Sequence, residues 1–185
     1  DQLGSSVSLD ADGNRVAIGA RFNDGTASNA GHVRIYEYSS SSWSQLGSDI
    51  DGEASNDYSG ISVSLNSDGD RVAIGASGND GTASNAGHVR VYSWGGSSWS
   101  KLGSDIDGEV GGDQFGHSVS LDYDGDKLAV GAKTNGGTGT SGGHVRIYHY
   151  LNNSWTQFGN DVDSEAAGDY FGISVCLDSA GVRFV

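Results

Sequence analysis

The sequence is poor in the residues that usually stiffen a chain or give it positive charge. Its 185 residues contain no proline, no methionine and one cysteine, and 10 Lys plus Arg face 24 Asp plus Glu, for a formal net charge of −14. Nucleic acids and anionic membrane surfaces are bound through Lys and Arg, so we expect neither as a partner. A single cysteine, Cys176, excludes an intrachain disulfide. No apolar run is long enough for membrane insertion.

Glycine, by contrast, is abundant, with 31 residues, and the chain repeats itself. The stretch NDGTASNAGHVR at 23–34 recurs unchanged at 79–90, and Trp43, Trp99 and Trp155 keep the same spacing of 56 residues. A fixed period of this size is typical of propellers, solenoids and arrays. We divide the chain into three blade repeats and a partial fourth, all in one array: 1–56, 57–112, 113–168 and 169–185.

Each copy contains four short segments with the pattern of β-strands. In the second copy these are ISVSL at 61–65, RVAIGA at 71–76, HVRVYSW at 88–94 and WSKLGSDI at 99–106. Apolar residues alternate with small or polar ones, and turn signals separate the segments, which indicates an all-β fold. One blade cannot bury both of its faces alone, so neighbouring copies must cover them.

The sequence therefore predicts tandem four-stranded antiparallel blades of the β-propeller type. They form either a closed ring with further blades or an open superhelical stack. We expect the core of each blade to contain Val33, Ile35, Tyr36 and Trp43, with their counterparts in the other copies.

Several segments resemble the FG-GAP repeat of integrin-alpha-like β-propellers. Phe115-Gly116 is followed by HSVSLDYDGD and then by LAVGA at 128–132, and Phe171-Gly172 opens another copy. The resemblance implies four-stranded blades, an extracellular or cell-surface location, and a role in binding and adhesion.

The segment SDIDGEASND is the main candidate for a metal site. Its carboxylates stand at alternate positions near a glycine, an arrangement that suits the oxygen ligands of calcium. The spacing matches the calcium loop of integrin-like blades, but that family places the loop between strands one and two. A solvated connecting loop is the other interpretation. The candidate ligands are Asp49, Asp51, Glu53, Asp57, Asp105, Asp107, Glu109, Asp113, Asp161, Asp163, Glu165 and Asp169.

One histidine and one arginine recur in every copy, in the motif GHVR. The histidines are His32, His88 and His144. No second histidine or cysteine stands at ligand spacing, so the pattern favours a structural role over a zinc site. The arginines are Arg34, Arg90 and Arg146. Stacked blades would partly bury them, and we expect them to pair with carboxylates within or between blades.

The repetition itself suggests a function. Catalytic groups normally form one asymmetric set, whereas most notable polar groups here occur once per copy. We therefore expect a non-enzymatic, extracellular structural or adhesion protein whose stacked blades build an array or filament, rigidified by calcium. Its partners would be neighbouring copies of the same repeat, assembled into fibres. Glycans would be a second class of partner. The sequon at 152–154 predicts glycosylation of Asn152.

Two alternatives remain open. One is a closed ligand-binding β-propeller, either lectin-like or an integrin-like receptor module, which the divergent loop at 133–143 favours. The other is a hydrolase built on a propeller, which would use one of the carboxylate pairs.

Overall fold

The computed structural model describes residues 1–137 and 139–185, and its regular structure is entirely β. Within these residues there is no helix with the length and apolarity that a membrane crossing requires. The strands are β1 Ser6–Leu9, β2 Arg15–Ala20, β3 His32–Ser39, β4 Ser42–Gln45, β5 Ile50–Asp51, β6 Ser62–Leu65, β7 Arg71–Ala76, β8 His88–Trp94, β9 Trp99–Lys101, β10 Ile106–Asp107, β11 Phe115–Leu121, β12 Lys127–Ala132, β13 His144–Leu151, β14 Ser154–Gln157 and β15 Val162–Asp163.

The strands form three antiparallel sheets, which we call blades one, two and three. Blade one has the order β1-β2-β3-β4, and β5 pairs with the free part of the same edge of β3. Blades two and three repeat this pairing. The predicted fourth strand at 99–106 is broken into β9 and β10, because Gly103 between them has a φ of +81°. The predicted four-stranded blade is otherwise confirmed.

Short hairpins join the first two strands of each blade. Gly69 has a φ of +63° in one of them, a conformation that glycine adopts without strain. In the next blade, the Asp122 carboxylate accepts hydrogen bonds from the backbone N–H groups of Asp126 and Lys127, each at 3.0 Å. The Asp-Gly turns therefore close hairpins, as their sequence indicates.

The apolar cores lie between the blades. Val33 and Ile35 of blade one are fully buried and pack against Val72 and Ile74 of blade two. A second core joins blades two and three and includes fully buried Leu128. The partial fourth copy covers the far side of blade three with residues that include Val175 and Leu177. Each core thus exists only because two successive copies meet.

Glycine and serine allow the blades to approach closely. A Cβ atom at Gly75 would overlap the carbonyl oxygen of Gly116 in the next blade. That oxygen also accepts a hydrogen bond from Ser62 Oγ at 2.8 Å. The same contacts recur one copy earlier and one copy later, at Gly19 and Gly131. Identical segments therefore make identical contacts between successive blades.

The recurring tryptophans contact the preceding blade, but the first one has no such neighbour in the structure. Trp99 Nε1 donates a hydrogen bond to the carbonyl oxygen of Leu46 at 2.8 Å, and Trp155 binds Leu102 in the same way at 2.9 Å. Trp43 is 48% exposed. The prediction that Trp43 is a core residue is therefore wrong, because burial at this position depends on the blade before it.

Candidate functional site

Two groups of charged side chains lie at one edge of the blades, where second strands end and third strands begin. Ala20 pairs with His32, and Ala132 pairs with His144, so residues just after the second strand lie beside those that open the third. One group recurs from blade to blade and is rich in carboxylates. The other occurs once in the chain and is basic.

The recurring arginines form ion pairs within and between blades, which confirms the prediction made for them. Arg34 Nη2 lies 2.8 Å from Oδ2 of Asp49 in its own blade. Arg90 binds Asp105 of its own blade and Glu53 of the preceding blade. The same two bonds recur one copy later among Arg146, Asp161 and Glu109.

The ion pair between Arg90 and Asp105 shifts the pKa of both residues. Burial would lower the pKa of Arg90, but its hydrogen bonds to Asp105 and Glu53 outweigh burial and raise the pKa above its ordinary value. Burial would likewise raise the pKa of Asp105, yet hydrogen bonds from Arg90 and Lys101 lower it to about 2. The arrangement therefore keeps both groups charged and holds neighbouring blades together.

The first two carboxylates of each candidate calcium loop turn toward a histidine. In blade one, Asp49 Oδ2 lies 3.7 Å and Asp51 Oδ1 lies 4.0 Å from Nδ1 of His32. Blade three brings together the equivalent residues, although blade two groups its histidine with a glutamate of blade one. The three sets whose ligand atoms lie within 4.8 Å of one another are His32, Asp49 and Asp51; Glu53, His88 and Asp105; and His144, Asp161 and Asp163.

The last two carboxylates of the first loop turn elsewhere. Glu53 binds Arg90 of the next blade. Asp57 is buried and accepts hydrogen bonds from the backbone N–H of Ala54 at 3.0 Å and from the Asn79 amide at 3.2 Å. Two of the four candidate ligands of this loop therefore face His32, and the other two bind residues elsewhere. Calcium binding at these loops stays a prediction.

The histidine of blade three is buried without a hydrogen-bond partner. The His144 side chain is 2% exposed, and its Nε2 is enclosed with no donor or acceptor among the described residues. Its Nδ1 lies 3.9 Å from Asp161 Oδ2, too far for a hydrogen bond. Burial, aided by the charge of Arg146, lowers the pKa of His144, so the ring is neutral near pH 7.

The sequence interpretation missed this grouping because it searched for a second histidine or cysteine. The carboxylates come instead from the broken fourth strand, where β15 pairs with β13 and sets Asp163 opposite His144. The signal was present as a constant spacing, since Asp49 and Asp161 each follow the histidine of their own copy by 17 residues.

A cleft of about 460 Å³ opens beside this group, between blades two and three. The residues that line it include Glu109, Asp113, Asn135, Arg146, Asp161 and Asp163. Four of these side chains are carboxylates and one is cationic, so the cleft attracts positive charge.

The second group, which we call the basic cluster, consists of Arg21, His117 and Lys133. Lys133 Nζ lies 3.5 Å from Nε2 of His117. The Arg21 guanidinium lies over the ring of Phe22, 4.6 Å from its centre. No carboxylate in the described part of the chain forms an ion pair with Arg21, His117 or Lys133. Two enclosed nitrogen atoms, Nε of Arg21 and Nδ1 of His117, also have no hydrogen-bond partner among the described residues.

Burial and neighbouring positive charge lower the pKa of two members of the basic cluster. Burial lowers the pKa of His117 to about 4, and the charges of Lys133 and Arg21 act in the same direction. Burial, followed by the charge of Arg21, lowers the pKa of Lys133. His117 is therefore neutral at pH 7, and its Nε2 can accept a hydrogen bond from the Lys133 ammonium.

A pocket of about 210 Å³ adjoins the basic cluster at Arg21. Arg21 and Phe22 line it from blade one, and Tyr58, Ser77 and Gln114 line it from the next two copies. The pocket therefore offers one guanidinium, an aromatic face and several neutral polar groups to a bound molecule.

The basic cluster does not recur, and this explains why the search for repeated motifs missed it. Arg21 and Lys133 correspond to Ser77 of the second copy, and His117 corresponds to Ile61. A comparison of the copies, position by position, would have revealed three polar or charged replacements that converge at one place.

No protein family model matches the sequence, and no curated protein matches it. Several solved structures match its fold. A candidate 6-phosphogluconolactonase from Bacteroides uniformis has a TM-score of 0.59 and 8% identity, over 85% of this chain and 40% of that one. The β-propeller domain of the Trilobed protease from Pyrococcus furiosus, described as having an open velcro topology, gives 0.51 and 13%, over 88% and 42%. The chain has the fold of β-propeller blades.

A structure from a study of two prolyl endopeptidases matches with a TM-score of 0.52 and 14% identity, over 99% of this chain and 24% of that one. The chain therefore spans less than half the length of each of these neighbours. Identities of this size establish the fold alone, so any activity has to be argued from the residues.

The expectation of a non-enzymatic structural or adhesion repeat is wrong. The structural neighbours include a candidate lactonase and prolyl endopeptidases, which are enzymes. The expectation treated repeated polar groups as evidence against chemistry and assigned the divergent loop at 133–143 only to the ligand-binding alternative. The resemblance to FG-GAP repeats, the extracellular location and the glycan and self-assembly partners stay predictions. So does glycosylation of Asn152, which lies exposed in the turn between β13 and β14.

Proposed function

We propose that the chain is part of the propeller of an enzyme that binds a small anionic substrate at the basic cluster and hydrolyses an ester or lactone bond in it. The observation that carries the proposal is the lack of any ion pair at Arg21, His117 and Lys133. A chain with a net charge of −14 has carboxylates in excess, yet none neutralises these groups in the described structure.

Electrostatics favours an anion at this position. Burial and the charge of Arg21 lower the pKa of Lys133, and a negative group between the two cations would offset their repulsion. A phosphate or carboxylate offers several acceptor oxygens, and the Arg21 guanidinium can bind two of them. The enclosed Nε of Arg21 has no partner in the described structure, so it would contribute a donor that is already free.

His117 is suited to accept a proton near the bound anion. In the free protein its pKa is about 4, which leaves the ring unprotonated but weakly basic. A bound anion would offset the charges of Lys133 and Arg21 and raise the pKa of His117 toward neutrality. An effective general base needs a pKa near the working pH, so substrate binding would itself activate this residue.

The reaction that fits these groups is attack of water on an acyl carbon. His117 takes a proton from water as the oxygen forms a bond to the carbonyl carbon. The bond between that carbon and the ester or ring oxygen then breaks, and the leaving oxygen takes the proton back from His117. Arg21 and Lys133 would hold the anionic part of the substrate and fix its orientation. The link to lactones rests on the activity named for one structural neighbour.

Calorimetric titration with inorganic phosphate at low ionic strength tests the binding step. We compare the protein with a double variant, Arg21→Ser and Lys133→Ser, which has the residue of the second copy at both positions. We expect at least a tenfold loss of affinity in the double variant. Arg183→Ser is the matched control, because Arg183 is an exposed cation outside the basic cluster. Equal phosphate affinity in all three proteins would overturn the proposal.

A pH-stat assay with phosphorylated and unphosphorylated lactones tests the chemical step. We expect faster hydrolysis of the phosphorylated compounds and its loss in His117→Ile, with phosphate affinity kept within a few-fold. Hydrolysis that does not depend on His117 would contradict the role of this residue, while phosphate binding would still identify the anion site.

A further inference from the structure

The Asp161 carboxylate, which faces His144, has one lone pair that accepts no hydrogen bond. Oδ1 of Asp161 accepts hydrogen bonds from Arg146 Nε at 2.8 Å and from Gln157 Nε2 at 2.6 Å. Oδ2 accepts one bond, from Arg146 Nη2 at 2.6 Å. Because a carboxylate oxygen can accept two bonds, Oδ2 keeps a free lone pair. This oxygen is also the one nearest to the imidazole of His144.

Blade one repeats this arrangement independently. Oδ1 of Asp49 accepts bonds from Arg34 Nε and Gln45 Nε2, while Oδ2 accepts one bond from Arg34 Nη2. The same Oδ2 lies 3.7 Å from Nδ1 of His32, and Asp51 Oδ1 lies 4.0 Å from that nitrogen. The two sites therefore share their ligand types and their outer hydrogen bonds, and the first aspartate lies 3.7 Å from the histidine in blade one and 3.9 Å in blade three.

The buried imidazole of His144 lacks the hydrogen-bond partners that a buried ring normally has. Its side chain is 2% exposed, and its enclosed Nε2 has no hydrogen-bond partner within the described structure. Nδ1, the nitrogen that faces the carboxylates, forms no hydrogen bond there either, although the polar atoms of a buried side chain are normally bonded. Nδ1 faces Asp161 across 3.9 Å, which exceeds a hydrogen bond. A gap of this length suits two ligands of one ion, since bonds of about 2.1 Å from a tetrahedral ion place its ligands about 3.4 Å apart.

We propose that His144, Asp161 and Asp163 bind a divalent zinc-like ion, and that His32, Asp49 and Asp51 bind a second one. One imidazole and two carboxylates match the donor types of zinc and leave a fourth position open for water. Calcium prefers six to eight oxygen ligands and is a poorer match to this set. The arginine beside each site holds the carboxylate in place from outside, as outer hydrogen bonds do around metal ligands.

Blade two lacks the same site for an electrostatic reason. Lys101 stands where the other copies have Gln45 and Gln157, and its Nζ lies 2.7 Å from Asp105 Oδ1. Asp105 is therefore bound by two cations, Arg90 and Lys101, whereas the equivalent Asp49 and Asp161 are each bound by one arginine and one neutral amide. We therefore expect two bound ions per chain rather than three.

Equilibrium dialysis with Zn²⁺, with metal content measured by mass spectrometry, tests the number of sites. We expect two ions in the unaltered chain, and one in either Asp163→Asn or Asp51→Asn. Both aspartates are exposed, so the variants should fold. Asp126→Asn is the matched control, because Asp126 lies 3.8 Å from His149 and the described residues place no second carboxylate beside that pair in a metal-binding group.

Cobalt substitution tests the identity of the ligands. We expect Co²⁺ to give an intense visible absorption, typical of four-coordinate geometry, that falls by half in His144→Ala and is unchanged in His149→Ala. Two bound zinc ions in both Asp163→Asn and Asp51→Asn, as in the unaltered chain, would show that the ions lie elsewhere on the acidic surface and would overturn the proposal. Absence of zinc binding at micromolar concentration would overturn it as well. Neither outcome depends on the anion site at the basic cluster.

Discussion

Trp99 and Arg21 lie in neighbouring blades, and their surroundings differ in kind. Trp99 recurs in each copy, packs against the core between blades one and two, and donates a hydrogen bond to the preceding blade. Arg21 has serine as its counterpart in the second copy and forms no ion pair with any described carboxylate. Recurring positions in this molecule form bonds with one another across blade interfaces, whereas the three positions of the basic cluster form no ion pair with any described carboxylate and leave Arg21 Nε without a hydrogen bond.

The largest effect is expected when the recurring tryptophan is removed, in separate variants, from two copies. We expect Trp99→Ala to lower the free energy of unfolding by about 3 kcal/mol, because it removes apolar contacts and a hydrogen bond between blades. Trp43→Ala should cost less than about 1 kcal/mol, since Trp43 is 48% exposed. Urea unfolding curves give both values. Equal losses would show that Trp43 is covered in solution.

A second test fills the narrowest point between two blades. In Gly75→Ala the new methyl group would meet the carbonyl oxygen of Gly116, and we expect a loss of about 1–3 kcal/mol. Gly95→Ala is the control, since its methyl group would meet only the carbonyl oxygen of Ser98, at 3.7 Å. That variant should change stability by no more than about 0.5 kcal/mol. A tolerated Gly75→Ala would mean that the blades lie further apart than described.

A third test compares Arg90, which has two carboxylate partners, with Arg34, which has one. The Arg90 side chain is 10% exposed and bridges two blades, whereas that of Arg34 is 35% exposed and binds within one. We expect Arg90→Ala to cost about 2 kcal/mol, less than a fully buried pair because its partners reach solvent. Arg34→Ala should cost less than about 1 kcal/mol. The difference, read from urea unfolding, should shrink in 1 M salt. The opposite order of losses would contradict the bridging role of Arg90.

The smallest expected effect concerns pH and the basic cluster. The folded pKa of His117 is about 4, below its unfolded value of 6.5, so the unfolded chain binds more protons between these limits. This residue therefore favours unfolding progressively as the pH falls from 6.5 to 4. We expect His117→Ile to flatten the decline in melting temperature over that window, with little change at pH 8. Parallel curves for the two proteins would show that His117 keeps its ordinary pKa.

Most of the fold could be predicted from the sequence. Alternating apolar residues and Asp-Gly turns define β6 and β7 closely, because both signals are local. The break between β9 and β10 was missed, since Gly103 at positive φ opens the strand without a change in hydrophobic pattern. The exposure of Trp43 was also missed, because it depends on which copy lies beside the first blade and not on the local sequence.

The candidate sites were harder to predict. The pairing of Arg90 with carboxylates followed from its burial and its charge. The grouping of His144 with Asp161 and Asp163 required knowledge of which strand edge the broken fourth strand joins. The basic cluster required three residues from two copies to converge at one edge, and no spacing along the chain expresses that convergence.

The most direct test of the account is the NMR titration of His117 with and without inorganic phosphate, with His117→Ile used to assign its signal. We expect a pKa of about 4 in the free protein, because burial and two cations oppose protonation. Phosphate at the basic cluster should raise that pKa by one unit or more and leave the signal of His149 unmoved. A His117 signal whose pKa does not respond to phosphate would contradict the assignment of the basic cluster as the site of an anionic ligand.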